Sequence, residues 1–166
     1  MKLEGKAIKL GDSINTDFII SGRYKFAITD IKELSKHIME DIDPDFYSKI
    51  TPGKSVIVAG KNFGLGSSRE QAPLVIKEAG IAAVLAKSFA RIFYRNAFNV
   101  GLCLIETDTD KISGNDSLEI DLDNGKVFNA TSRISLGMKP FPKFMQQLLK
   151  EGGIVKYYNK YGELKI

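Results

Sequence analysis

The sequence predicts an α/β domain with a mixed β-sheet core, and three observations support that prediction. First, 166 residues are enough for one domain with a sizeable buried core. Second, residues 55–106 alternate short apolar runs with helical patterns, and this β-α-β-α-β order implies parallel neighbouring strands. Third, residues 118–128 alternate around a hairpin signal. We therefore expect residues 1–166 to form a single domain, with helices flanking the sheet, a β-hairpin and C-terminal helices.

The N-terminal third is predicted to contain a strand, a long loop and two helices. Lys2–Leu10 has the pattern of a strand, and residues 11–26, GDSINTDFIISGRYKF, have the composition of a polar-to-apolar loop. A helix is expected over Asp30–Asp41, because its first residue can cap it and Glu33 completes a capping box. Asp43-Pro44 begins a second, shorter helix by the same logic.

The central segments alternate between buried strands and amphipathic helices. The expected elements are a strand at Ser55–Ala59, a helix over 68–80, a strand over 81–88, a helix over 89–101 and a strand over 102–106. Pro73 is compatible with its helix only in the first turn. Gly80 and Gly101 are expected to end the two helices.

The C-terminal third changes pattern. Leu118, Ile120 and Leu122 alternate up to Asp123-Asn124-Gly125, after which Val127 and Phe128 return as a second hairpin strand. From Pro142 onward the chain is predicted to be helical and to break at Gly152-Gly153.

Composition and charge narrow the function classes. The net charge of +4 permits an anionic partner, but the lysines are spread along the chain without a basic block, so we expect a small anionic substrate and no nucleic acid. No signal peptide or apolar run of membrane length is present, so we expect no membrane contact and a cytoplasmic location. Cys103 lies in an apolar run and is expected to be a buried thiol, and one cysteine cannot hold an iron–sulfur cluster.

The most distinctive stretch is GKNFGLGSSRE at residues 60–70, which follows a predicted strand. It lacks the spacing of a phosphate loop, and Arg69 stands where a dinucleotide fingerprint requires its third glycine. What remains is a glycine turn with Ser67, Ser68 and Arg69 at a helix N-terminus, an arrangement that favours an anion, and an arginine that can bind a carboxylate with two hydrogen bonds. The alternative is that one serine only caps the helix, with Glu70 or Gln71 completing the box.

A serine in this position can also act as a base if its environment stabilises the alkoxide. Amide dipoles and a nearby cation supply that stabilisation. The sole histidine, His37, is expected at a surface or half-buried helical position, so a Ser-His-Asp triad would depend on it alone. We therefore expect any serine chemistry here to work by electrostatics.

Three segments in order resemble the small subunits of 3-isopropylmalate dehydratase and their homoaconitase relatives, the swivelling domain of the aconitase superfamily. They are GDSINTDFIISGRY, GKNFGLGSSREQAP and AKSFARIFYRNAFNVGL. The resemblance implies a two-chain hydro-lyase that interconverts 2- and 3-isopropylmalate in leucine biosynthesis. A large subunit would carry three cysteines and a [4Fe-4S] cluster, while the small subunit closes over a hydroxy-dicarboxylate substrate and binds no metal itself.

The resemblance also implies roles for individual residues. Ser67 corresponds to the base that removes the proton next to a carboxylate, and Ser68 and Arg69 correspond to substrate-carboxylate contacts. Asp17 matches an acidic position near the site, although it can equally be a loop cap.

The glycine turn departs from the family pattern at one position. Leu65 stands between Gly64 and Gly66 where many small subunits have cysteine, so we expect a packing role there and an unchanged mechanism. Arg91 and Arg95 share one helical face, and their spacing fits ion pairs within the domain or with the partner as well as substrate contact.

Substrate choice is predicted to depend on the loop over 22–30. Its candidate contacts are Arg23, Tyr24, Lys25 and Phe26. Phe26 suits an alkyl group, whereas Lys25 suits the extra carboxylate of a homoaconitate-like substrate. We favour the alkyl substrate because a lysine can turn to solvent. Homoaconitate, 2,3-dimethylmalate, citramalate and a non-catalytic anion-binding or RNA-associated role remain the alternatives.

Overall fold

The computed structural model describes residues 1–66 and 70–164, and its strands form one seven-stranded sheet. The strands are β1 (Lys2–Lys9), β2 (Ser55–Val58), β3 (Ile81–Ala86), β4 (Leu104–Glu106), β5 (Ser117–Asp121), β6 (Lys126–Asn129) and β7 (Ile134–Gly137). Their order is β4-β3-β2-β1-β5-β6-β7. The first four strands pair in parallel and the last three pair antiparallel, which confirms the mixed α/β prediction.

Helices surround this sheet. They are α1 (Thr16–Ile19), α2 (Gly22–Lys25), α3 (Ile31–Ser35), α4 (Gln71–Glu78), α5 (Arg91–Val100), α6 (Lys143–Glu151) and α7 (Ile154–Tyr161). Single 3₁₀ turns occur at Tyr47–Lys49 and Thr109–Lys111. Within the described ranges, no helix has the length and apolar content needed to cross a bilayer.

The parallel half follows the sequence prediction closely. All four residues of β2 are buried, because β1 and β3 pair with it on both edges and helices cover the sheet. Pro73 is the third residue of α4, inside the first turn, as expected. Helix α5 ends at Gly101, which adopts the left-handed conformation.

The antiparallel half contains the predicted hairpin and one strand that the sequence did not predict. Leu118, Ile120 and Val127 are buried on one face of β5 and β6. In β7 only Leu136 is buried, so this edge strand has too little alternation to be predicted. The Thr107 hydroxyl donates a hydrogen bond of 2.9 Å to the Gly137 carbonyl oxygen, which joins the ends of the two edge strands.

The N-terminal loop differs most from the prediction. It contains α1 and α2, each only four residues long and therefore too short to show a helical period. The Asp30 carboxylate caps α3 as predicted, accepting a hydrogen bond from the Glu33 amide at 2.9 Å. The helix nevertheless ends at Ser35 and not at Asp41, because the buried Met39 turns back and its amide donates to the Ile19 carbonyl.

Two further elements bear on the sequence prediction. The segment after Asp43-Pro44 forms a turn and a 3₁₀ turn where a short helix was expected. The C-terminal segment forms α6 and α7 with a break at Gly152-Gly153, as predicted.

Candidate active site

The candidate site lies where the carboxyl ends of the four parallel strands meet. Open α/β sheets bind their ligands at this edge, because the loops that leave neighbouring strands come together there. The glycine turn (residues 60–66) follows β2 and lies between the loop after β1 and the loop after β3. The structure therefore brings together the segments of all three sequence motifs.

The loop after β1 holds one side of the glycine turn through backbone hydrogen bonds. The Gly64 amide donates to the Ile14 carbonyl oxygen at 2.7 Å, and the Thr16 amide donates to the Leu65 carbonyl oxygen at 2.8 Å. Asn15 and Leu65 pair as in a parallel sheet. Leu65 thus contributes its backbone to the site, and the packing role expected for its side chain stays a prediction.

The loop after β3 holds the other side. The Ser88 hydroxyl accepts a hydrogen bond from the Asn62 amide at 2.8 Å, and the Ser88 carbonyl accepts one from the Phe63 amide at 3.0 Å. The Ala90 amide returns a bond of 2.9 Å to the Phe63 carbonyl. Ser88 belongs to one of the three sequence motifs. Its role as an acceptor for the amides of the glycine turn could not be predicted from the sequence.

Phe93 of helix α5 packs against the glycine turn. Gly64 has a φ of +81°, and a Cβ atom there would lie 2.2 Å from Cγ of Phe93. The Phe63 ring meets the Phe93 ring edge to face at a centroid distance of 5.4 Å. The position needs glycine both for its backbone conformation and for this close contact.

Ser67, Ser68 and Arg69 follow Gly66 directly and lie outside the described residues. Their predicted roles, as base, carboxylate contacts or helix caps, therefore stay predictions. Helix α4 begins at Gln71, with Glu70 as a cap residue whose side chain makes no capping hydrogen bond.

A second part of the site is the specificity segment (residues 22–26), formed by α2 and Phe26. The Lys25 amine donates to the Asp17 carboxylate at 2.7 Å, and the Lys25 side chain is only 8% exposed. In this structure the lysine does not turn to solvent, because its amine binds Asp17. The cap of α1 is the Asn15 side chain and not Asp17. The Phe26 ring is 72% exposed.

The rest of the specificity segment is attached to the chain after α3. The Tyr24 hydroxyl donates to the Glu40 carboxylate at 2.8 Å, and its ring stacks on the His37 ring at 3.9 Å. His37 Nδ1 lies 2.6 Å from the same carboxylate, and Arg23 pairs with Asp41. His37 is half-buried, as predicted, although it lies in a turn beyond the helix.

These contacts change the acidity of two groups. The hydrogen bond with His37, followed by that from Tyr24, lowers the pKa of Glu40. The bond to Glu40 in turn raises the pKa of the Tyr24 hydroxyl. Glu40 and Asp41 were not predicted as part of the site, because nothing in the local sequence indicates that they meet α2.

The loop after β4 adds a further ion pair at the same edge. The Lys87 amine donates to Asp110 at 2.6 Å, which lowers the pKa of that carboxyl. The Thr109 hydroxyl donates to the Ala59 carbonyl oxygen at 2.7 Å and connects this loop to the end of β2. Arg91 and Arg95 are exposed on α5.

Metal-ligating side chains do not cluster in the described part of the chain. Cys103 is 4% exposed, and burial raises its pKa to about 12, so it is an inert core thiol as predicted. Across residues 1–66 and 70–164, no three histidine, cysteine, aspartate or glutamate side chains lie close enough to hold a metal ion. The described residues of this chain do not fit an iron–sulfur cluster.

Comparison with known proteins agrees with this arrangement. Residues 15–110 match the model of the aconitase C-terminal domain family. The chain is 56% identical over 166 residues to 3-isopropylmalate dehydratase small subunit 2 of Archaeoglobus fulgidus, covering all of both chains. It is 52% identical over 158 residues to the 3-isopropylmalate dehydratase small subunit of Halothermothrix orenii, covering 94% of each.

The chain belongs to the family of 3-isopropylmalate dehydratase small subunits. A solved structure supports this: the crystal structure of 3-isopropylmalate dehydratase from Methanocaldococcus jannaschii matches with a TM-score of 0.91 and 47% identity, over 98% of this chain and 96% of that one. The family membership confirms the predicted resemblance and its hydro-lyase class. The matched residues 15–110 include the glycine turn and the specificity segment.

Proposed function

We propose that this chain is the small subunit of a two-chain hydro-lyase that interconverts 2-isopropylmalate and 3-isopropylmalate in the cytoplasm. The observation that carries the proposal is the glycine turn, which backbone hydrogen bonds hold on both sides at the carboxyl edge of the parallel strands. The turn holds the backbone up to Gly66, the residue that precedes Ser67 in the sequence. A base needs a fixed support, because proton transfer requires hydrogen-bond distance to the reacting carbon acid.

In the proposed dehydration, Ser67 as an alkoxide takes the proton from the carbon next to a carboxylate. The electron pair of that C–H bond forms the carbon–carbon double bond, and the C–OH bond breaks to release hydroxide, with Ser67 left as a neutral hydroxyl. Arg69 would hold the carboxylate with two parallel hydrogen bonds, and Ser68 would add a third. Re-addition of water in the opposite orientation completes the isomerisation.

The hydroxyl group of the substrate needs an activating partner, because hydroxide is a poor leaving group. We assign that task to a [4Fe-4S] cluster in the large subunit, which supplies a Lewis acid when bound. Since the described residues of this chain offer no cluster ligands, the proposal requires the partner to bring all of them.

The specificity segment favours an alkyl group over a third carboxylate. Lys25 already has a carboxylate partner in Asp17, whereas Phe26 presents an exposed ring. A tricarboxylate would have to compete with Asp17 for the lysine. An isopropyl group needs only apolar contact, which the ring of Phe26 supplies.

The test is Ser67→Ala in the complex with the cognate large subunit, with the cluster reconstituted anaerobically. Loss of the base is expected to lower kcat by about 10²- to 10⁴-fold while assembly and melting temperature stay unchanged. Ser132→Ala is the matched control, because this serine is exposed in the turn between β6 and β7 and should leave kcat at the wild-type value. Near-normal kcat with a lowered melting temperature for Ser67→Ala would support the capping role instead.

A further inference from the structure

Glu40 connects the specificity segment to the chain after α3. Its two carboxylate oxygens have different partners: one accepts from the Tyr24 hydroxyl at 2.8 Å, and the other lies 2.6 Å from Nδ1 of His37. The bond with His37, followed by that from Tyr24, lowers the pKa of Glu40, so the group is an ionised carboxylate at neutral pH. An ionised carboxylate can only accept hydrogen bonds. His37 therefore carries a proton on Nδ1 and donates it to Glu40.

The imidazole ring of His37 makes a second contact with the same tyrosine. It lies almost parallel to the Tyr24 ring, with an interplanar angle of 11° and a centroid distance of 3.9 Å. Glu40 thus holds Tyr24 at its hydroxyl, and His37 covers one face of its ring. Contacts at the ring and at its tip restrict this side chain to one orientation.

The backbone between His37 and Glu40 is strained. Met39 has a φ of +55°, which residues other than glycine rarely adopt, and its side chain is fully buried. Its amide donates to the Ile19 carbonyl oxygen at 2.9 Å, so the core holds this conformation in place. Strained residues persist only where the surrounding structure over-determines them, and they concentrate at functional sites. The strain points to a role for the two side chains that flank Met39.

Tyr24 also organises the turn that carries Phe26. Its carbonyl oxygen accepts from the Ala27 amide at 3.0 Å and from the Ile28 amide at 2.9 Å. Phe26 lies within this turn, so its backbone position follows that of Tyr24. The contacts of the Tyr24 side chain therefore determine where the exposed ring of Phe26 stands.

We propose that His37 and Glu40 are positioning residues for substrate selection. They hold Tyr24, and through it the turn with Phe26, in the place where the Phe26 ring meets the alkyl group of the substrate. Both act through Tyr24, so they affect recognition of the alkyl group and not the chemical step. The inference rests on the proposed function, because it needs an alkylmalate as the substrate.

The experiment measures kcat/KM of the reconstituted complex for 3-isopropylmalate and for 3-methylmalate, which has a methyl group in place of the isopropyl group. His37→Phe keeps a ring against Tyr24 but offers no donor to Glu40, and Tyr24→Phe removes only the hydroxyl. Each should lower the ratio of kcat/KM for 3-isopropylmalate to that for 3-methylmalate by about fivefold or more, because an apolar pocket discriminates through the alkyl carbons it contacts. The loss should lie in KM for 3-isopropylmalate, with its kcat within about twofold of the wild type.

Two features of the result separate positioning from stability. A variant that only folded less well would lower kcat for both substrates and leave the ratio unchanged. The double variant His37→Phe/Tyr24→Phe should show no larger loss of the ratio than the single variants, because all of them break the same connection. Additive losses would mean that the two residues act separately, which would contradict the inference.

Lys36→Ala is the matched control. Lys36 precedes His37 and pairs with Glu33 at 2.8 Å, so this variant breaks an ion pair of residues three apart that does not involve Tyr24. Its ratio should equal that of the wild type. An unchanged ratio in His37→Phe and Tyr24→Phe, beside wild-type turnover of 3-isopropylmalate, would overturn this inference alone. A wild-type complex that did not turn over 3-isopropylmalate would overturn the proposed function and this inference with it.

Discussion

The glycine turn and the specificity segment are held in different ways, although both belong to the same candidate site. Backbone hydrogen bonds from two neighbouring loops hold the turn, and Phe93 fills the space beneath it. The specificity segment instead meets other parts of the described chain through the side-chain pairs Lys25–Asp17, Arg23–Asp41 and Tyr24–Glu40.

This difference separates two requirements of the proposed reaction, the placement of the turn and the choice of substrate. Backbone hydrogen bonds do not depend on side-chain identity, so the turn keeps its position when neighbouring side chains change. Side-chain contacts are altered by single substitutions. We infer that substrate preference can change through residues 22–26 while the approach to Ser67 stays the same.

The largest expected effect comes from Gly64→Ala, which tests whether the turn is held by its backbone conformation and its contact with Phe93. The new Cβ would meet the Phe93 ring at 2.2 Å and would occupy a backbone with φ of +81°. Backbone strain of about 1–2 kcal/mol and overpacking of about 1–3 kcal/mol should together lower the free energy of unfolding by roughly 2–5 kcal/mol. Urea denaturation of the isolated chain measures this loss.

Gly53→Ala is the matched control for that substitution. Gly53 has a similar φ of +72°, but nothing lies within 4 Å of the position that its Cβ would take. It should therefore show only the strain of about 1–2 kcal/mol. Equal losses in the two variants would mean that the Phe93 contact does not hold the turn.

A smaller effect is expected from changes within the specificity segment. Phe26→Arg should lower kcat/KM for 3-isopropylmalate by about tenfold or more, because alkyl contacts are worth about 1–3 kcal/mol per methylene. Lys25→Ala should change it by less than about threefold, because the Lys25 amine is already paired with Asp17. A larger loss in Lys25→Ala, with a tricarboxylate as the best substrate, would contradict the alkyl preference.

The parallel half of the fold could be predicted from sequence because its signals are local. Buried strands and amphipathic helices alternate there, and Gly101 marks a helix end that the structure confirms. The missed elements depend on contacts between distant residues. Helix α3 ends early because the Met39 amide donates a hydrogen bond to the Ile19 carbonyl. Strand β7 forms by antiparallel pairing with β6.

The residues of the candidate site also divide into those that a local sequence pattern predicts and those that only the fold brings together. The residues of the glycine turn form one continuous motif, so the sequence alone could identify them. Ser88, Thr16, Glu40 and Asp41 come from separate segments, and no local pattern shows which atoms they face. The sequence did not indicate the Asp17 partner of Lys25, because Asp17 lies eight residues earlier and meets the lysine only through the fold.

The smallest expected effect concerns the attachment of α2 through Glu40. The pKa of Glu40 is lowered in the folded chain, so its contribution to stability is present above the ordinary glutamate pKa and is lost as pH falls through the lowered value. The pKa of Tyr24 is raised, so its contribution is lost only at alkaline pH, as pH rises through that raised value. Between these limits the attachment is intact.

Glu40→Gln tests this attachment. The variant should melt a few degrees below the wild type at pH 7. The difference should shrink as pH falls below the ordinary glutamate pKa of about 4.3, because the unfolded wild-type chain then takes up a proton that the folded chain still resists. Glu119→Gln is the control, an exposed carboxylate on β5 in the antiparallel half, and it should show no such convergence. If the gap between wild type and Glu40→Gln were the same at pH 7 and at pH 3.5, the carboxylate charge would not contribute to holding α2. The side-chain attachment would then consist of the Arg23–Asp41 and Lys25–Asp17 pairs and the Tyr24–His37 stack.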